Sequence, residues 1–475
     1  MMIKFGTGGF RGVIADDFTK ENVQKIAQGL SLTALENGWG GKPVVIGYDL
    51  RFMSDKFAAW MAEVFAGNGI KVLLCTSVVP TPIVMSATKD MDNELGVMIT
   101  ASHNPYVFNG VKVFRKNGMD ADVGFTNALE KVTNACGNVN VMPLALAKER
   151  GLVEEYSHIE KYLDNIVSFI DPKIKFNKAK ILFDNMCGAG CVGLKPIARR
   201  LNITRFDIIN EKHDAFFNFI TPNPTEEAMS RLKNMVVKNG YDYAIATDSD
   251  ADRLGVLDEN GNSVSSNEIL ACLYYYLVRY RGQKGDIVKN CSASVLLDML
   301  AEKLGFKCYE VDVGFKNISA KLKETNALIG GESSGGLTVR NYIFGKDSTF
   351  SAALFMEMQI VMNKPVSEIV GEVKNFAGYG YHCAEDSCEV SDMRVFDALY
   401  KDDGREIGAK KVHAFNRNVK YYFENGCWAL LRASGTEPLL RIAAEMPSES
   451  EVRKIAEKLK CKIKETDDKL LKGSL

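Results

Sequence analysis

Leu95-Gly96-Val97-Met98-Ile99-Thr100-Ala101-Ser102-His103-Asn104-Pro105 is the stretch on which the reading of this chain turns. Leu95–Ile99 reads as a buried strand, and the polar residues after it read as a loop at its carboxyl end, where open α/β sheets place their ligand sites. Pro105 pushes Asn104 away from helical geometry, so the loop turns sharply and presents Ser102. A hydroxyl presented in this way can serve as a nucleophile or a phosphoryl acceptor. Read alone, a serine in such a loop is more often a turn or cap residue. His103 is as ambiguous by itself, and no Gly-x-Ser-x-Gly elbow surrounds the serine.

The residues before the loop set the fold class. Val23, Ile26, Ala27, Leu30 and Ala34 follow the i, i+3, i+4, i+7 rule of an amphipathic helix, with Thr19 as N-cap. Residues 43–47 then read as a short buried strand. Ser54 is placed to cap a second helix with the apolar face Phe57, Trp60, Met61, Val64 and Phe65, and a strand follows over 70–75. Strands alternating with amphipathic helices imply parallel βαβ units. The rhythm returns with strands over 180–184, 206–209 and 243–247 and helices near 190–201 and 225–238. A third cycle has strands over 286–290, 307–311 and 327–329. The tail differs, with strands over 428–432 and 440–444 and a Lys-rich helix from about 449 to 465 capped by Ser448. The expected architecture is α/β: three similar α/β domains with mixed, mostly parallel sheets (1–150, 151–262, 263–375) and a C-terminal α+β domain (376–475), around a central active-site cleft.

Composition narrows the function. The 475 residues carry 59 basic and 60 acidic side chains, so no global field attracts nucleic acid or an anionic membrane, and phosphate recognition must come from local clusters. The first residues, MMIKFGTGGFRG, lack the apolar core of a signal peptide, and no apolar run approaches the ~20 residues that cross a bilayer. Eleven cysteines without a CxxC pair read as reduced thiols, which suggests a soluble, cytoplasmic protein.

Four further segments carry chemistry. In Thr247-Asp248-Ser249-Asp250-Ala251-Asp252-Arg253, three carboxylates within five residues repel unless solvated or gathered on a cation, and hard oxygen ligands suit Mg²⁺ or Ca²⁺. A calcium hand would need Gly where Arg253 stands, so Mg²⁺ with a position left for a phosphate oxygen fits better. Gly330-Gly331-Glu332-Ser333-Ser334-Gly335-Gly336 permits close backbone approach and offers Glu332 and Ser334 to vicinal sugar hydroxyls. Arg432-Ala433-Ser434-Gly435-Thr436-Glu437-Pro438, with Arg441 behind it, makes a phosphate cradle by charge-assisted hydrogen bonding, without the spacing of a P-loop. Phe5-Gly6-Thr7-Gly8-Gly9-Phe10-Arg11-Gly12 is only superficially a nucleotide loop, since it lacks a preceding strand and the GxGxxG spacing.

Together, in this order, these segments resemble the α-D-phosphohexomutase superfamily over nearly the whole chain. The resemblance implies four domains around a cleft and makes Ser102 the carrier of the transferable phosphoryl group. Asp248, Asp250 and Asp252 would hold Mg²⁺, with Ser102 completing the site. It implies that Glu332 and Ser334 bind sugar hydroxyls and that Arg432, Ser434, Gly435, Thr436 and Arg441 bind phosphate. Arg253 and Lys316, the latter within Gly314-Phe315-Lys316, would contact substrate, while Arg11 and His103 would join the catalytic group. Arg51 would partner phosphate or the metal loop. Lys112, in Asn109-Gly110-Val111-Lys112, matches the family's proposed general base, a role that needs a depressed pKa.

The implied reaction moves phosphate between two hydroxyls of one sugar through a bisphosphorylated intermediate, with a sugar bisphosphate as activator. The last domain is expected to close over that intermediate. Gly335-Gly336 stands where relatives that handle both mannose and glucose phosphates, and those acting on glucosamine phosphate, tend to have Gly-His, which makes the loop more like that of the phosphoglucomutase branches. Mannose phosphate ranks second, with glucosamine and pentose phosphates behind it. A metal-dependent sugar phosphatase is the reading from another class. The expected partner is a small sugar phosphate, not nucleic acid or membrane, and the chain is expected to be a monomer or homodimer.

Overall fold

The computed structural model describes residues 2–6, 8–176, 178–433 and 438–472. Four sheets follow one another along the chain. The first runs Phe10–Val13, Phe108–Arg115, Leu95–Ile99, Val44–Tyr48, Val72–Cys75 and Val153–Tyr156, with Met119–Asp120 pairing off Phe108–Arg115. It thus takes a strand from beyond residue 150. The second runs Ser263–Val264, Leu254–Leu257, Tyr243–Thr247, Lys180–Asp184 and Arg205–Ile209, and the third Cys308–Val311, Ile287–Asn290, Ile329–Gly331 and Leu337–Val339. The fourth is antiparallel throughout and packs on the helix Glu449–Leu471, giving the expected α+β unit.

The first three sheets share a construction that no residue-level repeat announces. A parallel strand ends in a polar loop, and the next strand returns antiparallel beside it. Leu95–Ile99 pairs so with Phe108–Arg115, Tyr243–Thr247 with Leu254–Leu257, and Ile329–Gly331 with Leu337–Val339. In the fourth sheet Trp428–Ala433 and Leu439–Met446 form the same kind of hairpin, and residues 434–437 of its loop lie outside the described residues. The chemistry-bearing segments are therefore hairpin loops at carboxyl ends of strands.

Local signals mostly act as their chemistry dictates. Thr19 accepts the Asn22 N–H at the start of helix Lys20–Glu36, and Ser448 accepts that of Glu451. Ser54 is not a cap. It is the first residue of helix Ser54–Gly67, and its hydroxyl donates to Asp49 (3.0 Å) instead. The helix expected over 225–238 breaks into Glu226–Met229, a 3₁₀ turn and Lys233–Asn239, with Ser230 Oγ donating back to the Glu227 carbonyl (2.6 Å). The last helix runs six residues further than expected, to Leu471, where Asp467 accepts the Ser391 N–H (2.9 Å). All eleven cysteines are free thiols. No helix among the described residues is long and apolar enough to cross a membrane.

Two buried carboxylates tie the units together. Asp347 caps helix Ser348–Met362 and accepts hydrogen bonds from the hydroxyls of Tyr162 (2.9 Å) and Tyr342 (2.6 Å). Glu445, in the fourth sheet, accepts from Ser294 Oγ (2.6 Å) and the Val295 N–H (2.8 Å) of the third domain, and from Tyr379 OH and Trp428 Nε1 (both 2.7 Å). Beside it, Glu310 of the third sheet accepts from Lys420 and Tyr422.

Glu445→Ala leaves four donors without their acceptor and should lower the unfolding free energy by about 3 kcal/mol, read by urea denaturation followed through tryptophan fluorescence. Asp347 gives a pH signature. Burial raises its carboxyl from 3.8 to about 6, against the pull of its hydrogen bonds. With the folded value above the unfolded one, the contribution is present below the unfolded pKa and lost as pH rises through the folded one. Asp347→Asn cannot ionise, so between about pH 4 and pH 6 it should gain on the parent chain by about 1.4 kcal/mol per pH unit. A stability difference that stays constant over this range refutes the buried-acid assignment.

Candidate active site

Ser102 is buried, and its backbone is left-handed at φ 51°. That conformation costs a non-glycine residue about 1–3 kcal/mol and persists only where the surroundings over-determine it. Here they do. The Ser102 N–H donates to Thr100 Oγ1 (2.8 Å), whose own hydroxyl donates to the buried Asp49 (2.6 Å). The Arg51 guanidinium donates to the carbonyls of Ser102, Asn104 (2.6 Å), Pro105 (3.0 Å) and Phe108 (2.9 Å), while Asp49 lies 3.5 Å from its Nε. The sequence suggests Arg51 as a partner of phosphate or the metal loop. It reaches that loop only through Ser249 Oγ at 3.5 Å, and otherwise clamps the serine loop from behind.

Across the domain boundary, Ser102 Oγ donates to Asp248 Oδ2 (2.8 Å), and Ser249 Oγ donates to the Ser102 carbonyl (2.5 Å). Asp248, Asp250 and Asp252 are all buried, with one carboxylate oxygen of each within 4.8 Å of the others. Asp248 Oδ1 accepts the N–H groups of Asp252 (2.9 Å) and Arg253 (3.1 Å), which wraps the loop around it. Asp250 Oδ1 and Asp252 Oδ1 are buried without a hydrogen-bond partner among the described residues. Hard oxygens gathered on one buried turn, two of them without a hydrogen-bond donor, fit a divalent cation of the magnesium type.

Lys112 donates to Asp250 Oδ2 (2.6 Å) and Asp252 Oδ2 (2.7 Å). Burial by itself would lower its pKa, but the two carboxylates outweigh burial and hold it above the ordinary lysine value. The depressed pKa expected of a general base is not found, because Lys112 is the counter-ion of the acidic loop. Burial and the neighbouring carboxylates push Asp248 well above the usual carboxylate range. Burial acts on Asp250 and Asp252 too, but Lys112 overrides it and keeps both low.

Arg11 donates to Asn104 Oδ1, and its strand pairs with Gly110. Gly9 makes that approach possible: at φ 107°, a Cβ there would lie 2.2 Å from the Val111 carbonyl oxygen. His103 Nδ1 sits 3.4 Å from Ser102 Oγ. Burial, then Arg253, Arg11 and Lys346, drive its pKa down to about 2, so the imidazole is neutral. Lys346, which the sequence reading missed, bridges to Asp252 Oδ2 at 3.0 Å. Ser348 N–H and Oγ both donate to the Ala251 carbonyl (3.2 and 2.7 Å), fixing the third domain against the metal loop.

Glu332 Oε1 accepts the Gly314 N–H (2.9 Å), and Ser334 Oγ lies 3.4 Å from its other oxygen. The glycine-rich loop over 330–336 is hydrogen-bonded to the end of the acidic loop through Leu254 N–H and the Gly335 carbonyl (3.2 Å). Lys316, half-buried at the start of helix Phe315–Thr325, has its pKa lowered by burial against the pull of Asp120, Asp122 and Asp312. Arg432 and Arg441 face each other across the antiparallel pair, both exposed. Like charges directly opposite are unfavourable unless an anion lies between them. Ser434, Gly435 and Thr436 lie outside the described residues.

A strained serine facing buried carboxylates and ringed by cations suits metal-assisted phosphoryl transfer. Four models of one family match the chain in order: phosphoglucomutase/phosphomannomutase alpha/beta/alpha domain I over residues 2–139, domain II over 160–261, domain III over 265–376, and the C-terminal domain over 388–460. The chain is 29% identical over 456 residues to a phosphoglucomutase/phosphomannomutase of Thermococcus kodakarensis, covering 95% of this chain and 96% of that one. It is 30% identical over 409 residues to a phosphoglucosamine mutase of Methanococcus maripaludis, covering 85% and 88%. A Thermus thermophilus crystal structure, described as a candidate phosphomannomutase, superposes with a TM-score of 0.83 at 29% identity, over 97% of this chain and 99% of that one. The chain belongs to the phosphoglucomutase/phosphomannomutase family of the α-D-phosphohexomutase superfamily, whose members are isomerases that move a phosphate within one sugar.

Arg51→Lys cannot fork to four carbonyls. Amide exchange across residues 100–108 should accelerate and turnover should fall about 100-fold, as expected for a misplaced reacting group. Unchanged exchange in that loop would show that Arg51 does not hold it.

Proposed function

We propose that this chain is a phosphoglucomutase, interconverting glucose 1-phosphate and glucose 6-phosphate through phosphorylated Ser102; the alternative reading is a phosphomannomutase. The observation that carries the reading is the 2.8 Å contact between Ser102 Oγ and Asp248, inside a buried carboxylate cluster. Gly336 bears on the sugar. A Cβ there would meet Lys346 Cδ at 2.2 Å, so a histidine at this position would displace Lys346 from Asp252. The Gly-Gly ending and Lys346 thus form one arrangement, distinct from the Gly-His ending of relatives that handle both mannose and glucose or act on glucosamine phosphate.

Asp248, Asp250 and Asp252 would hold Mg²⁺, which when bound supplies positive charge against the transferring phosphoryl group. Phospho-Ser102 gives its phosphoryl group to the free hydroxyl of the sugar phosphate: the serine P–O bond breaks and a sugar P–O bond forms. The proton of the attacking hydroxyl ends on Ser102 Oγ as its bond to phosphorus breaks, while Lys112 and Arg11 act as cations beside the reacting group. The bisphosphorylated sugar turns round and returns its other phosphate to Ser102. Glu332 and Ser334 hold sugar hydroxyls, Lys316 and Arg253 line the cleft, and Arg432 with Arg441 grips the distant phosphate. A sugar bisphosphate would recharge any Ser102 that has lost its phosphate. The eleven free thiols support a reducing, cytoplasmic setting.

A coupled assay of glucose, mannose, glucosamine and ribose 1-phosphates, with Mg²⁺ and trace bisphosphate, decides the sugar. The glucose phosphate should show the highest kcat/KM, and Ser102→Ala should abolish turnover of all four. Preference for glucosamine phosphate overturns the sugar, and full turnover by Ser102→Ala overturns the mechanism.

A further inference from the structure

Asp250 is held from outside its own domain. Thr81, in the first domain, is the first residue of helix Thr81–Asp90 and is buried. Its N–H donates to the Asp250 main-chain carbonyl (2.9 Å), and its hydroxyl donates to Asp250 Oδ2. Pro82 follows and has no N–H of its own. Thr81 therefore grips Asp250 at both its backbone and its carboxylate. Lys112 is the second donor to the same Oδ2 (2.6 Å), whereas Oδ1 is buried with no partner among the described residues.

The helix is a rigid support. At its far end Lys89 Nζ donates to the Tyr342 carbonyl (2.8 Å), and Met85 fills the space a side chain at Gly345 would need, since a Cβ there would lie 1.9 Å from Met85 Cε. The helix is thus wedged between the metal loop of the second domain and the segment of the third that carries Lys346. A ligating carboxylate can turn about its Cβ–Cγ bond and exchange its two oxygens. Two donors on one oxygen and none on the other remove that freedom.

We propose that Thr81 is a positioning residue for the metal ligand Asp250: with Lys112 it occupies Oδ2, so that Oδ1 is the oxygen left to bind a divalent cation. The proposal rests on the metal-site reading given above. It assigns to the first domain a direct part in the metal affinity of the second, and makes the Thr81 hydroxyl rather than its shape the operative feature. Outer hydrogen bonds of this kind set metal affinity by about 10–100-fold.

The test measures Mn²⁺ binding to the whole chain by electron paramagnetic resonance and calorimetry, without sugar phosphate. Thr81→Val keeps the side-chain shape and the backbone N–H but removes the hydroxyl donor, and should raise the Mn²⁺ Kd about tenfold. Thr81→Ser should restore the parent affinity. Thr88→Val serves as a control, because that buried threonine of the same helix donates only to the Val84 carbonyl (2.7 Å) and should leave the Kd unchanged. Thermal unfolding without metal checks that each variant is folded, and Thr81→Ala carries the same expectation if the valine variant is not. Parent-like Mn²⁺ affinity in the folded Thr81→Val or Thr81→Ala chain overturns the proposal, as does equal weakening by Thr88→Val. A parent chain that binds Mn²⁺ but turns over no hexose phosphate defeats the proposed function and leaves the role of Thr81 standing. A parent chain that binds no Mn²⁺ defeats both.

Discussion

Three carboxylates buried side by side repel one another, and relief of that repulsion organises the centre of this protein. Asp248, Asp250 and Asp252 lie on one buried turn of the second domain. Their charge is offset by groups from elsewhere: Lys112 from the first domain, Lys346 from the third, and Arg253 from the turn itself. A buried charge left unpaired costs several kcal/mol, so the acidic turn can be buried only if the domains come together around it. The same requirement explains why Lys112 is a cation here rather than a free amine.

The hairpin loops serve this assembly. A parallel strand in an α/β sheet delivers its following residues to one edge, and an antiparallel return strand keeps the loop short and fixed at both ends. Repeated in three domains, with a similar hairpin in the fourth, the device brings the Ser102 loop onto the buried carboxylate turn and the glycine-rich loop over 330–336 onto the end of that turn. The strain at Ser102 belongs to the same logic. A left-handed serine persists because Arg51, Thr100, Asp49 and Ser249 hold its loop on every side.

Much of this was legible in the strand–helix rhythm and in the composition of the loops. Tyr243–Thr247 begins and ends where its apolar run does, and the carboxylates that follow are close enough in sequence to demand a cation. Other features left no local trace. Ser54 looks like a cap but bonds to Asp49, since a hydroxyl takes whichever partner the tertiary fold brings. Lys346 sits in an ordinary Gly-Lys-Asp-Ser turn, and Thr81 between two prolines reads only as a helix start. Arg51 reads as a partner of phosphate or of the metal loop because a charged loop residue usually serves something beyond its own turn; it touches Ser249 Oγ of that loop at 3.5 Å, and its other hydrogen bonds go to carbonyls of its own domain.

The sequence by itself determined the α/β character, the fourfold division and which residues are candidates for the chemistry, because periodicity and side-chain type act over neighbouring positions. Only the tertiary structure decided what those residues do to one another. The protonation of Lys112, the neutrality of His103 and the grip of Thr81 on Asp250 all depend on charges and volumes from separate domains. Burial magnifies such contacts, and no spacing along the chain encodes them.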